Sequence, residues 1–287
     1  MSGVAANYKK TGFLQTLRTD AWWFESAYVL FGFTAFVIYS TWAGLQGNHF
    51  WVGPEHGFGG YLSPMYSPSL FLNPDPSIPG NAPMHHALLG PMPQFILNSK
   101  LLTFLITPAA FILAFPALFR FTCYYYRGAY YKAFAGTPPG CAVGSIPQKK
   151  YKGETQLLIF QNLHRYALYF AIIFVFVLSY DAVLSFFRAG KFGVGVGSII
   201  LTINPILLGC YTFGCHSFRH LLGGKHDCMS CPGGISKLRH GAYQKVSWLN
   251  RNHKLFAWMS LIWVGSTDLY VRLVSHGVIT DLNTWGL

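Results

Sequence analysis

Gly209-Cys210-Tyr211-Thr212-Phe213-Gly214-Cys215-His216-Ser217-Phe218-Arg219-His220 closes an apolar run that begins at Val194 and carries no charge as far as Leu208. The two together are long enough to cross a bilayer as a helix, so their metal-competent side chains fall where a span meets water. Read as one continuous helix, His216 and His220 stand four apart and project from one face toward a single iron, with Cys215 about 100° away. A plainer reading fits the same residues: a small apolar Cys and two polar His caps at the interface.

Working outward, 52% apolar and only 10% charged residues set the chain apart from soluble domains, which carry about 25% charged residues. The composition is that of an integral membrane protein. The polar, basic first twenty residues precede an apolar run too long for a cleaved signal peptide, which is therefore expected to stay as a span. Five spans are expected, at 21–43, 101–121, 166–187, 194–213 and 255–274. The fold class is thus all-α, one membrane-anchor domain over 1–287: a five-transmembrane-helix bundle with a Pro/Gly-rich outer loop. With the N-terminus inside, 17 of the 21 Lys and Arg fall on the cytoplasmic side, which sets the orientation and puts the C-terminus outside. This sorting by side explains the net charge of +12 without nucleic acid. It also places the six Cys at or near a reducing compartment, where disulfides are not expected.

Residues 46–99 hold Pro too densely for regular helix and are expected to form an ordered cap on the outer face. His85 and His86 in that segment read as solvated loop residues. Five tyrosines between Phe121 and Lys132 mark an interfacial belt. Cys141 follows in Thr137-Pro138-Pro139-Gly140-Cys141-Ala142, a stiff loop of the kind whose amides can bond a cluster sulfur. Cys123, Cys141, His164, Cys215, His216, His220 and His253 come from separate membrane-edge segments yet share one depth and one side. Two thiolates and two imidazoles make up a Rieske-type [2Fe-2S] ligand set, whose raised potential suits electron delivery to a quinone. Asp181 and Asp268 lie in the outer halves of the third and fifth spans, where a carboxylate costs about 3 kcal/mol on insertion scales. Arg272, four residues beyond Asp268, marks that Asp as half of a structural pair. Asp181, beside Tyr180, is the candidate for a proton path or a second quinone site near the outer face.

The segments Tyr61–Leu70 (YLSPMYSPSL), Cys123–Tyr131 (CYYYRGAYY), Pro138–Val143 (PPGCAV), Gly153–Thr155, Asn162–Tyr166 (NLHRY), Cys215–Gly224 (CHSFRHLLGG) and Phe256–Leu273 (FAWMSLIWVGSTDLYVRL) carry a resemblance. From about residue 20 to the C-terminus the chain resembles the heme-free, SdhC-like membrane anchor subunit of succinate dehydrogenases, whose members hold a membrane-embedded Rieske-type cluster. The resemblance implies a multi-pass subunit of respiratory complex II in the bacterial cytoplasmic membrane. It would hold a flavoprotein subunit and an iron-sulfur subunit on the cytoplasmic face. Electrons from succinate would pass through its [2Fe-2S] cluster to quinone, with menaquinone expected and no heme. Membrane lipid is a further partner, and assembly into a higher oligomer of the complex is compatible with the sequence. Family members often carry Cys where Phe218 and Ser69 stand here, so neither position is an obligatory ligand.

On this reading His216 and His220 bind one iron and two of Cys123, Cys141 and Cys215 bind the other, with His164 as alternate. His164, Arg165 and His253 are the quinone candidates. Three readings compete. A cytochrome b-type anchor with one inner heme would use the His residues of the same layer. Di-iron oxygenases need several His boxes, where this chain has one HxxxH, and a transporter would usually show internal repeats. Finally, His226 with Cys228 and Cys231 could form a small zinc site in a non-redox metal-binding protein, although a fourth ligand is lacking.

Overall fold

The helices begin and end where the sequence punctuates them. The computed structural model describes residues 12–54, 59–146, 153–188, 190–224 and 234–285; His226, Cys228 and Cys231 lie outside them. Helix α1, Trp23–Gln46, stops at Gly47, whose φ of 65° is left-handed, a conformation glycine adopts without a Cβ clash. The chain then crosses the end of the helices expected from the sequence to face outward. Strand β1 (Trp51–Val52) pairs antiparallel with β2 (Tyr61–Leu62). A 3-10 turn at Met84–His86 and the short helices α2 (Gln94–Leu97) and α3 (Lys100–Leu105) follow.

Helix α4 covers Ala110–Thr122 and leads into α5, Tyr124–Ala129, which ends in a π-helical turn at Tyr130–Phe134. Helix α6 runs through Gly153–Leu184, and the hairpin β3 (Phe187–Arg188) and β4 (Lys191–Phe192) turns the chain back. Then come α7 (Val196–Phe213), α8 (His216–Gly223), α9 (Gly234–Arg251) and α10 (His253–Ser275). Helix α7 packs against both α6 and α10, and α4 against α6.

Among the described residues three helices are long and apolar enough to cross a membrane: α1, Gln161–Leu184 within α6, and α7. The expected second span, 101–121, is two helices, because Pro108 lacks an amide proton and its ring crowds the preceding turn. The remaining 13 residues of α4 rise only about 20 Å. Helix α10 has 23 residues but includes His253, Lys254, Asp268 and Arg272, which dilute its hydropathy. The expected third span, 166–187, starts thirteen residues earlier as helix. No proline interrupts residues 153–165, so His164 lies inside a rigid helix rather than at its entrance.

The buried interior has an outer part, with Phe50, Tyr66, Leu72 and Ala109, and an inner part, with Phe119, Cys123, Tyr126, Tyr211 and Cys215. The outer part is organised by a charge pair. Asp268 is 0% exposed and Arg272 3%, and Arg272 Nε donates to Asp268 Oδ2 at 2.8 Å. Tyr39 of α1 donates to the same carboxylate at 2.6 Å, and Ser63, just after β2, donates to its other oxygen. The remaining guanidinium protons reach the carbonyls of Ala43 (2.7 Å) and Asn48 (3.1 Å). Both ions are therefore satisfied, as burial demands, and α1, the outer segment and α10 are fixed by one network. Arg272→Leu, which strands the carboxylate, should destabilise the chain by about 3–5 kcal/mol, and Asp268→Asn combined with it should recover a large part. Thermal unfolding of the two variants in detergent measures both effects.

Candidate metal centre

Where the span of α7 ends, Gly214 breaks the helix and Cys215 becomes the N-cap of α8, its Sγ accepting the Ser217 amide proton at 3.2 Å. Residues 209–220 are thus two helices: His216 and His220 keep their four-residue spacing on α8, while Cys215 stands before it as the N-cap. Both imidazoles are exposed on α8; His216 borders a cleft described below, and His220 lies in the last helical turn.

In their place the fold brings His164 and His253 against the cysteines. His164 Nε2 lies 3.2 Å from Cys215 Sγ, and His253 Nε2 lies 3.5 Å from Cys123 Sγ. Cys123 and Cys215 belong to one buried cluster with Phe119, Tyr126 and Tyr211. Two thiols, from the C-cap of α4 and the N-cap of α8, and two imidazoles, from α6 and α10, thus lie close together. Cys123 is 2% exposed, Cys215 1% and His164 6%, and His253 is partly buried. Among the described residues no three His, Cys, Asp or Glu side chains converge on one ion. What is present is a pair of His–Cys contacts, His164 with Cys215 and His253 with Cys123, taken together as a ring of four side chains.

The surrounding residues orient this ring. Thr122 Oγ1 gives its proton to the Leu118 carbonyl (2.8 Å) and lies 2.9 Å from His164 Nδ1. It therefore accepts from Nδ1–H, which leaves the Nε2 lone pair directed at Cys215. Phe119 stacks on His164 at 4.6 Å and Tyr211 on His253 at 4.9 Å, fixing both ring planes. His253 Nδ1 is buried with no hydrogen-bond partner among the described residues. Arg120 donates to Tyr126 (3.1 Å), the Ala257 carbonyl (3.2 Å) and Ser260 (3.0 Å), and its guanidinium sits 4.8 Å from the centre of the Tyr211 ring. It is a fixed positive charge beside the Cys123 side.

A cleft of about 750 Å³ opens onto this layer, reaching Cys123, His164 and His253 at its floor and Glu25, Lys132 and Lys254 near its mouth. Glu25 and Lys254 form an ion pair across α1 and α10. Arg165 is exposed, about 100° around α6 from buried His164, and does not line the cleft. Cys141 is exposed on its loop, where its carbonyl accepts from Arg18 at 2.9 Å. At the outer end, Asp181 accepts a hydrogen bond from Ser67 of the outer segment, while Tyr180 is 60% exposed and points away.

Sequence reasoning passed over Arg120, Thr122, Phe119 and Tyr211, because an Arg at a span end reads as topology and aromatic residues as filling. Their signal is helical spacing: Phe119 and Cys123 are four apart. Burial pushes the Cys215 thiol up to about 11. At pH 8 it should therefore stay protonated and resist alkylation, whereas exposed Cys141 should react readily. Timed maleimide labelling of the metal-free chain, read by peptide mass, checks the contrast.

Residues 24–277 match the family model described as actinobacterial succinate dehydrogenase subunit SdhC. Among solved structures, the Mycobacterium smegmatis Sdh1 complex in the apo form contains a chain 38% identical to this one. The alignment covers 98% of each chain, with a TM-score of 0.77. Comparison with curated proteins gives no match.

Proposed function

The chain belongs to the family of actinobacterial succinate dehydrogenase SdhC subunits, and on that premise we propose that it carries electrons to quinone through a Rieske-type [2Fe-2S] cluster held by Cys123, Cys215, His164 and His253. The observation that carries this reading is the ring of two buried thiols and two imidazoles, with a His–Cys approach of 3.2 Å on one side and 3.5 Å on the other. In such a cluster one iron takes two cysteines and the other two histidines. Cys123 with Cys215, and His164 with His253, are the like pairs. The donor set fits the group: soft and imidazole ligands, a Ser217 amide on one sulfur, an oriented His164 tautomer and an unpartnered nitrogen on His253. When bound, such a cluster exchanges single electrons at a potential raised by imidazole ligation.

The chain's own residues supply the rest. Thr122, Phe119 and Tyr211 hold the imidazoles in place, and burial keeps water from the sulfurs. Arg120 offsets the negative charge that two thiolates and an added electron bring to this layer. The cleft over the layer is the proposed quinone site, with Gln161, Tyr125 and Asn250 on its walls as groups able to hold a quinone carbonyl. Lys132, Lys254 and Arg251 at the same end suit docking of an iron-sulfur subunit, itself carrying a flavoprotein subunit. His164 and His253 thus move from quinone contacts to ligands, and Arg165, Cys141, His216 and His220 leave the site. The five-span topology, with α3–α4 and α10 crossing beside α1, α6 and α7, the cytoplasmic placement of this end, the bacterial inner membrane and menaquinone as acceptor belong to the same proposal.

Cys123→Ser and His164→Ala should each abolish a Rieske-type paramagnetic signal in the reduced complex, while His216→Ala and His220→Ala should keep it. The reverse pattern returns the ligands to α8. A sharp reduced alpha band in the absorption spectrum would instead favour heme.

Asp181 keeps its proposed part in proton movement near the outer face, now with Ser67 rather than Tyr180 beside it. Asp181→Asn should alter the dependence of quinone-linked succinate oxidation on membrane potential. An unchanged dependence leaves only an interhelical hydrogen bond.

A further inference from the structure

Apart from Asn250 and Arg251 at its C-terminal end, helix α9 lies outside everything assigned so far. It carries Lys237, Arg239, Lys245 and Arg251 and no acidic residue. Its inner side is occupied: Arg219 of α8 donates to Tyr243 (2.7 Å) and Ser247 (3.1 Å), Arg239 donates to the Leu222 carbonyl (2.5 Å), and Val246 is buried. Its other side exposes Ile235 (84%), Leu238 (76%) and Trp248 (53%), with exposed Lys237 and Lys245 between them. By helical rotation these positions share one sector about 160° wide. Large apolar side chains interleaved with cations on one helix face are the pattern of a helix lying in a membrane interface.

Depth agrees with the pattern. Asn250 donates to the Gly214 carbonyl at 2.8 Å, at the residue where α7 ends. A Cβ on Gly214 would sit 3.1 Å from the Leu249 carbonyl oxygen, so the two backbones meet closely there. Trp248 packs against Phe256 of α10, ring centres 6.1 Å apart. The C-terminal end of α9 is therefore fixed where a membrane-crossing helix leaves the apolar layer.

We propose that the exposed face of α9 binds anionic phospholipid, with Ile235, Leu238 and Trp248 entering the acyl boundary and Lys237 and Lys245 holding headgroup phosphates. Charge complementarity selects this occupant, since no acid on α9 offsets its cations. The inference rests on α7 as a span and not on the metal reading, so loss of the cluster signal leaves it standing.

The test uses the full chain in nanodiscs of phosphatidylcholine alone or with about a third phosphatidylglycerol, a membrane-impermeant amine acylating reagent, and peptide-level mass spectrometry. A cation near an anionic surface gains about five-fold in local association. Acylation of Lys237 and Lys245 should therefore slow about five-fold in the anionic discs and recover at high salt. Leu238→Asp, at an exposed position that leaves the core intact, should return the rate toward that in zwitterionic discs. Equal rates in the two disc types overturn the proposal. So does protection that appears only when the iron-sulfur subunit is added, which would give the face to a protein partner.

Discussion

Everything at the outer end of this bundle depends on keeping one carboxylate satisfied in an apolar layer. Asp268 is fully buried and accepts from Arg272, Tyr39 and Ser63, and each donor belongs to a different part of the chain. An ion pair on one helix turn would by itself contribute little. Here burial removes water as an alternative partner, so the outer segment and α1 must adopt the positions that complete the pair. A second carboxylate repeats the device: Asp281 accepts from Tyr61 (2.6 Å), Tyr270 (2.7 Å) and the Gly197 amide (2.9 Å). It thereby ties the C-terminal segment to the start of α7, where a negative charge is also favoured by the helix dipole.

The inner end works differently. Around the buried cysteines the described polar groups are imidazoles, Thr122 and the Arg120 guanidinium, arranged among aromatic rings. Neutral thiols and neutral imidazoles can be buried at lower cost than ions, which lets the fold hold the ring of four without a counter-charge. Binding of a cluster would convert the two thiols to thiolates. Arg120 and the Ser217 amide then face charge that the metal-free state lacks. The residues that orient the site and those that compensate it are thus distinct, and both are contributed by helix ends.

Much of this was legible in the sequence. Apolar runs located α1, α6 and α7, the spacing of Asp268 and Arg272 marked a structural pair, and the gathering of Cys and His at one depth pointed to a single layer. The expected ligand pair on α8 rested on helical spacing, which says which side chains share a face, not where that face points. Gly214 ends α7, and the rotation of α8 after it turns His216 and His220 outward. The approach of His164 to Cys215 and of His253 to Cys123 spans 51 and 130 positions, a separation at which no local periodicity carries information. Pro108 was visible, yet a single proline inside an apolar run does not announce whether the helix kinks or stops.

The same separation has a bearing on biogenesis. Cys123 emerges from the ribosome long before His253, and the chain between them must thread α6 and α7 into the bilayer before α10 can close the ring. A nascent chain therefore presents Cys123, then His164 and Cys215, before His253 exists, so the contact of His253 with Cys123 closes only once the last helix has been made.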